Sequence, residues 1–132
     1  MAHEADSAAI YRHRDRYNSA LKQGDLNAWI ATLTDDCVFQ VHGMPALKGK
    51  EAIRPWIAAT DFEPFDVELN YDFEELEFAG DWAFGWGWFK QTLSPKGGGE
   101  VLEPVGKFLD IFRKDADGEW RLARVAFSMD HA

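Results

Sequence analysis

An aspartate set between two phenylalanines, in the run Phe108-Leu109-Asp110-Ile111-Phe112, is the residue of this sequence whose place most needs explaining. Alternation along an extended strand sends Phe108, Asp110 and Phe112 to one face and Lys107, Leu109 and Ile111 to the other, and both faces read as largely buried. A buried carboxylate without a partner is strongly disfavoured. Asp110 must therefore be held neutral, be paired with Arg121, Arg124 or a backbone amide, or look into a cavity, where a desolvated acid can hand over or accept a proton. Tyr17 shares a helical face with Ile10 and Leu21, so its phenol turns inward, either as a core residue with a bonded hydroxyl or as a donor to a ligand. His42 carries an imidazole that titrates in the useful range without help and is the candidate base. His13, one turn before Tyr17, is expected at the surface, and Asp35 with Asp36 is expected as solvated turn chemistry at a helix end.

These residues need elements to hold them. Residues 1–6 read as a loose start, and a first helix is expected from Ser7 to Gln23 with Gly24 as its stop. Asp25 caps a second helix whose apolar face is Leu26, Trp29, Ile30 and Leu33, ending near Asp35 and Asp36. A short strand, Cys37 to Val41, is followed by a loop from Gly43 to Gly49. A third helix from Lys50 to Thr60 carries Pro55 one turn in and is expected to be short or bent. From Asp66 to Phe78 the alternation changes phase, which predicts a bulge or bend. In the next strand Trp82, Phe84, Trp86 and Trp88 take one face and Ala83, Gly85 and Gly87 the other, so the rings line either a cavity or a dimer surface. SPKGGGE, residues 94–100, is read as a flexible connection. It leads into a hairpin whose turn is Asp115, Asp117 and Gly118 and whose return strand runs from Trp120 to Phe127. Three helices and a short strand followed by four long antiparallel strands give an α+β domain, with a curved sheet wrapping the helices around a cone-shaped interior.

Composition narrows the partners. The chain of 132 residues is read as one domain, 1–132, long enough to bury a core, and its six Trp and ten Phe predict an aromatic core or an apolar pocket. A net charge of −9 argues against nucleic acid or an anionic membrane as partner. One cysteine, Cys37, excludes an intrachain disulfide, and the histidines lack metal-ligand spacing, so no metal and no cofactor is expected. Without a signal-like or membrane-spanning run, a soluble cytoplasmic protein is expected.

The runs RYNSALKQGDLNAWIATLTDDCVFQVHG, LKGKEAIRPW and GKFLDIFRKDADGEWRLARVAFSMD resemble the SnoaL-like and ketosteroid-isomerase-like domains of the nuclear transport factor 2 superfamily. The resemblance covers nearly the whole chain and implies the cone-shaped, cystatin-like α+β barrel with three N-terminal helices in the concave face of a mainly antiparallel sheet. It implies further that Tyr17 falls where the steroid isomerases carry an oxyanion-stabilising tyrosine. Asp110 falls where they carry a protonated acid, the neutral carboxyl for which those enzymes are known. Their general-base position falls on Val41, which cannot take a proton, and a shift of one residue brings His42 to the same place. Extended to the aromatic strand, the resemblance puts Phe84, Trp86 and Trp88 in the cavity together with Phe108, Trp56, Val125, Phe127 and Val41.

Two functions follow as expectations. One is a metal-free isomerase or lyase acting on a cyclic or aromatic carbonyl compound, with Tyr17 and neutral Asp110 as oxyanion donors and His42 as proton carrier. The other is a non-catalytic module that binds a small apolar or aromatic molecule or serves dimerisation, since this fold hosts unrelated activities. A homodimer through the sheet is expected in either case, with Ala83, Gly85 and Gly87 permitting close packing if the rings face the cavity.

Overall fold

The structure, a computed structural model, describes residues 4–130. Three helices, α1 (Glu4–Gln23), α2 (Leu26–Ile30) and α3 (Lys50–Ala58), accompany six strands, β1 (Leu33–Val41), β2 (Leu47–Lys48), β3 (Phe65–Ala79), β4 (Trp82–Pro95), β5 (Val105–Lys114) and β6 (Trp120–Met129). The strands form one curved sheet in the order β2-β1-β6-β5-β4-β3, with β1 and β6 parallel and every other neighbouring pair antiparallel. This is the expected α+β architecture.

The start of the chain is more ordered than its polarity suggests. Glu4, Ala5 and Asp6 are already helical, and Asp6 accepts from the Trp120 indole at 3.3 Å; residues 1–3 lie outside the described residues. The second helix is shorter than expected because the Leu122 amide bonds the Thr32 carbonyl and Leu33 pairs with Leu122, which draws the chain into β1. Asp35 and Asp36 therefore sit on a strand, where they meet Lys50 at 3.1 Å and Arg113 at 3.1 Å. Similarly, β4 extends through Ser94 and Pro95 because β3 continues beside it to Phe65.

Ile10, His13, Arg14 and Ala20 form the buried stripe of α1 at helical spacing, and they meet a core that includes Trp29, Leu33, Phe39, Phe112 and Leu122. Trp29, Leu33, Phe39, Phe112 and Leu122 are among its largest fully buried side chains, and each such burial stabilises the fold by roughly 1.5–3 kcal/mol. The phase change in β3 is a bulge between Phe73 and Glu75. A second bulge at Ala123 lies in β6, where Ile111 faces Arg124 and Phe112 faces Leu122.

Cross-strand partners share a face, and the register decides which face that is. Ala83 lies opposite Phe112, Gly85 opposite Asp110 and Gly87 opposite Phe108, so the small residues of β4 point inward. The ring wall of Trp82, Phe84, Trp86 and Trp88 is consequently outside, each residue 40–46% exposed. This corrects both the cavity-lining role of Phe84, Trp86 and Trp88 and the use of the glycines as a dimer contact. The inward space is already filled: a Cβ on Gly85 would meet the Phe73 ring, and one on Gly87 would collide with the Asp72 carbonyl oxygen. The outer face of β5 is open as well, with Lys107 exposed and Leu109 45% exposed, so only the Asp110 face of that strand is buried.

Candidate functional site

Between the helices and the inner face of the sheet lies a cavity of about 280 Å³. Arg14, Tyr17, Asn18 and Leu21 of α1 form one wall, and Trp56 and Ile57 of α3 another. Phe108 and Asp110 of β5 with Val125 and Phe127 of β6 make the floor, while Leu69, Asn70, Tyr71, Phe89, Lys90 and Gln91 contribute from β3 and β4. Thr60 and Phe62, in the connection after α3, complete the lining.

Asp110 is fully buried. Its Oδ2 accepts from the Arg14 Nη1 at 3.5 Å, the outer limit of a hydrogen bond, and its Oδ1 has no partner among the described residues. Burial pushes its pKa up to about 6, and the Arg14 charge opposes the rise. The guanidinium itself sits among rings, 4.5 Å from the centroid of Tyr17, 5.2 Å from Phe108 and 5.3 Å from Tyr71. Tyr17 is half-buried, and desolvation lifts its phenol to about 12, so that it keeps its proton and remains a donor at ordinary pH. These three groups share one end of the cavity and come from only two elements, α1 and β5.

Of the residues singled out in the sequence, Tyr17, Asp110, Trp56, Phe108, Val125 and Phe127 line this cavity. His42 does not. It is exposed in the turn after β1, where its Nδ1 accepts from the Met129 amide at 3.2 Å, so the shift that would bring it to the cavity mouth does not occur. Val41 packs against the core cluster and pairs with Phe127 without reaching the cavity wall. Phe84, Trp86 and Trp88 lie on the opposite side of the sheet, where Trp86 and Trp88 border a broad surface groove with Lys107 and Leu109.

His13 also departs from expectation, for it is fully buried rather than exposed. Its Nε2 lies 2.8 Å from the Thr32 carbonyl, which can only accept, so Nε2 carries the hydrogen and Nδ1 is left without a partner. Burial, together with nearby arginines, lowers its pKa to about 4 and keeps the ring neutral. The arginines offered as partners of Asp110 serve elsewhere: Arg121 holds Asp115 and Asp117 of the hairpin turn, and Arg124 bonds the Asp36 and Ala123 carbonyls. Helical spacing offers His13 or Arg14 between Ile10 and Tyr17, and both are buried there; that Arg14 is the partner of Asp110 is what the spacing does not show. Among the described residues no cluster of three or more His, Cys, Asp or Glu is arranged to hold a metal, and no helix is long and apolar enough to cross a membrane.

The model of the SnoaL-like domain matches residues 14–123. The chain belongs to the SnoaL-like family of the nuclear transport factor 2 superfamily. The matched stretch of this SnoaL-like chain opens on Arg14 and contains Tyr17 and Asp110, and it stops short of Val125 and Phe127. A ketosteroid isomerase-like protein from Erwinia carotovora atroseptica is 31% identical, with a TM-score of 0.76 over 95% of this chain and 96% of that one. A conserved protein from Planctomyces limnophilus is 30% identical, with a TM-score of 0.82 over 95% of this chain and 98% of that one. At 20% identity, a protein of the nuclear transport factor 2 type with a cystatin-like fold from Novosphingobium aromaticivorans superposes with a TM-score of 0.82, over 97% of this chain and 84% of that one. No curated protein matches the sequence.

Proposed function

We propose that this SnoaL-like protein binds a small cyclic or aromatic carbonyl compound in the cavity between α1 and β5 and moves a proton on it, as an isomerase or a lyase. Asp110 is the proton carrier and Tyr17 the donor to the substrate oxygen. The observation that carries this reading is the fully buried carboxylate that lines the cavity with its Oδ1 unpartnered among the described residues. With a pKa of about 6, Asp110 is mostly ionised at neutral pH yet more basic than a surface aspartate, which suits a general base. The resemblance implies a neutral donor at this position; the base role is proposed in its place because the Arg14 charge opposes the rise.

Asp110 would remove a proton from the carbon beside the carbonyl, leaving the bonding pair as an enolate whose oxygen accepts from the Tyr17 hydroxyl. Returning the proton to another carbon completes an isomerisation. Expelling a leaving group from the β carbon with the same electron pair completes an elimination. The test is exchange of α protons in D2O, followed by NMR on a panel of cyclic and aromatic ketones. Asp110→Asn is expected to slow exchange about 10²–10⁴-fold, the usual worth of a general base. Tyr17→Phe is expected to slow it about 10²–10³-fold, as removal of one oxyanion donor does. An Asn variant that exchanges at the unaltered rate would sink the assignment.

Binding without catalysis is the second reading, and the contact between Asp110 and Arg14 favours it, since a paired carboxylate is also a structural device. In that case Asp110→Asn leaves ligand affinity within a few-fold and no ketone exchanges. On either reading the outer face of β4 and β5, with its exposed rings and Leu109, is assigned to a second copy of the chain.

A further inference from the structure

We infer that a ligand of this cavity is a compact planar carboxylate, held by Arg14, and that Asp110 takes up a proton when it enters. This rests on the reading above for the location of the site and goes beyond it: a protonated Asp110 cannot serve as the base, so the carboxylate is a ligand that takes the place of the ketone in the cavity and silences the proton transfer.

The argument begins with hydrogen-bond donors that have nowhere to go. A guanidinium offers five N–H donors and cannot shed its charge. The Arg14 side chain is 10% exposed; among the described residues its one ion-pair contact is the 3.5 Å approach to Asp110, and its buried Nε has no partner. Tyr17, Phe108 and Tyr71 surround the group with ring faces, which attract the cation without offering oxygen acceptors along its edge. Of the described residues on the cavity wall, Asp110 is the sole carboxylate, and the other cation, Lys90, is engaged by Glu103 at 2.8 Å. The imbalance therefore falls on Arg14, which lines the cavity and is free to meet an acceptor from inside it.

A group with two coplanar oxygens answers several donors at once, and a carboxylate matches the guanidinium fork in a way a single ketone oxygen does not. Trp56, Phe89 and Phe127 offer flat apolar surfaces to the rest of the ligand, with Asn18, Asn70 and Gln91 among the uncharged polar groups of the lining, and the volume suits a ligand of one or two rings.

A carboxylate beside Asp110 brings two like charges together, and the structure shows which one can yield. The titratable and charged groups facing Asp110 are Arg14 and Tyr17 from α1 and Cys37 from β1, with Tyr71 of β3 and Lys90 of β4 further along the wall. Its cross-strand neighbours, Gly85 and Val125, carry no charge. Tyr17 and Cys37 are both held at about 12 by burial, and Tyr71 is raised as well, so they stay protonated. Asp110, already brought by burial to about 6, accepts the proton. Its partner Arg14 is then left wholly to the ligand.

Isothermal titration of the intact protein with 2-naphthoate, benzoate and their neutral isosteres 2-naphthamide and benzamide tests this, with each measurement made in two buffers of different ionisation enthalpy. At least one carboxylate is expected to bind about tenfold or more tightly than its amide at pH 6, with affinity falling as the pH is raised to 8. At pH 7 its binding should take up about half to one proton, while the amides take up none. Arg14→Gln is expected to erase the preference while amide binding persists, and Asp110→Asn to keep the preference while abolishing proton uptake. Should Arg14→Gln fail to fold, the comparison of acid with amide on the unaltered protein still decides. Equal affinity for acid and amide, failure of both acids to bind, or binding without proton uptake overturns the inference. Exchange on neutral ketones without a carboxylate preference would remove this inference and leave the proposed catalysis standing, and a carboxylate preference without exchange would do the converse.

Discussion

His13 and Asp110 are both wholly buried, and their surroundings perturb them in opposite senses. Asp110 holds its proton up to about pH 6 in the folded protein but only to 3.8 as an ordinary carboxyl, so between those values the native state binds the extra proton and stability falls as pH rises. His13 stays neutral down to about 4 in place of 6.5, so over its window the unfolded chain binds the extra proton and stability rises with pH. Each effect is worth about 3 kcal/mol, and across the shared window, from about pH 4 to 6, they cancel. Asp36 and Asp117, whose pKa values are lowered, titrate below this window. Asp110→Asn is therefore expected to expose the histidine, making the protein about 3 kcal/mol more stable at pH 6.5 than at pH 4. His13→Gln, which keeps an N–H for the Thr32 carbonyl, exposes the reverse slope. Urea unfolding across this range checks both, and two variants with the flat profile of the unaltered chain would refute the account. The anomaly of Asp110 was legible because a carboxylate between phenylalanines violates local patterning. Its partner was not, because a strand residue alternating beside Arg121 and Arg124 gives no hint that a helix residue 96 positions earlier supplies the cation.

At the scale of elements, helical periodicity placed α1 and its inward Tyr17, and the phase slip in β3 announced its bulge. What alternation cannot supply is parity: β4 reads the same whichever face points inward, and large apolar residues are the ordinary choice for the interior. Only the register with β5, which sets Gly85 against Asp110, turns the tryptophans outward. The glycines are then needed for clearance, and they differ in what opposes them. Beside Gly87 stands backbone, the Asp72 carbonyl, while beside Gly85 stands the Phe73 ring, which can rotate or shift. Gly87→Ala is expected to destabilise by about 3 kcal/mol or more, and Gly85→Ala by about 1–3 kcal/mol. Chemical denaturation of the two variants measures the difference. A Gly87→Ala protein as stable as the original would mean that β3 and β4 do not approach as closely as their bulged pairing requires.

At the scale of the molecule, one sheet separates two aromatic environments, a cavity inside and an exposed wall outside, and the outer wall is sorted by charge. Glu75 and Glu77 of β3 lie beside Trp86 and Phe84 at one side, and Arg124 of β6 lies beyond Leu109 and Ile111 at the other. A two-fold axis running along the strands between β4 and β5 would lay the ring row of one copy over Leu109 and Ile111 of the other. The same rotation brings the acidic row of each copy over the partner's arginine. An axis across the strands would instead set β3 over β3 and oppose acids with acids, so charge selects the first arrangement. Sedimentation velocity should then find a dimer that Leu109→Lys disrupts, because an ammonium would be buried at the seam without a partner. Arg124→Glu should weaken the dimer by setting acid against acid, and adding Glu77→Lys should restore it, because the reversed pair recovers its attraction. The rescue is the decisive arm: dissociation by Arg124→Glu that Glu77→Lys does not repair would rule out this axis, and a monomer at all concentrations would rule out the second copy itself.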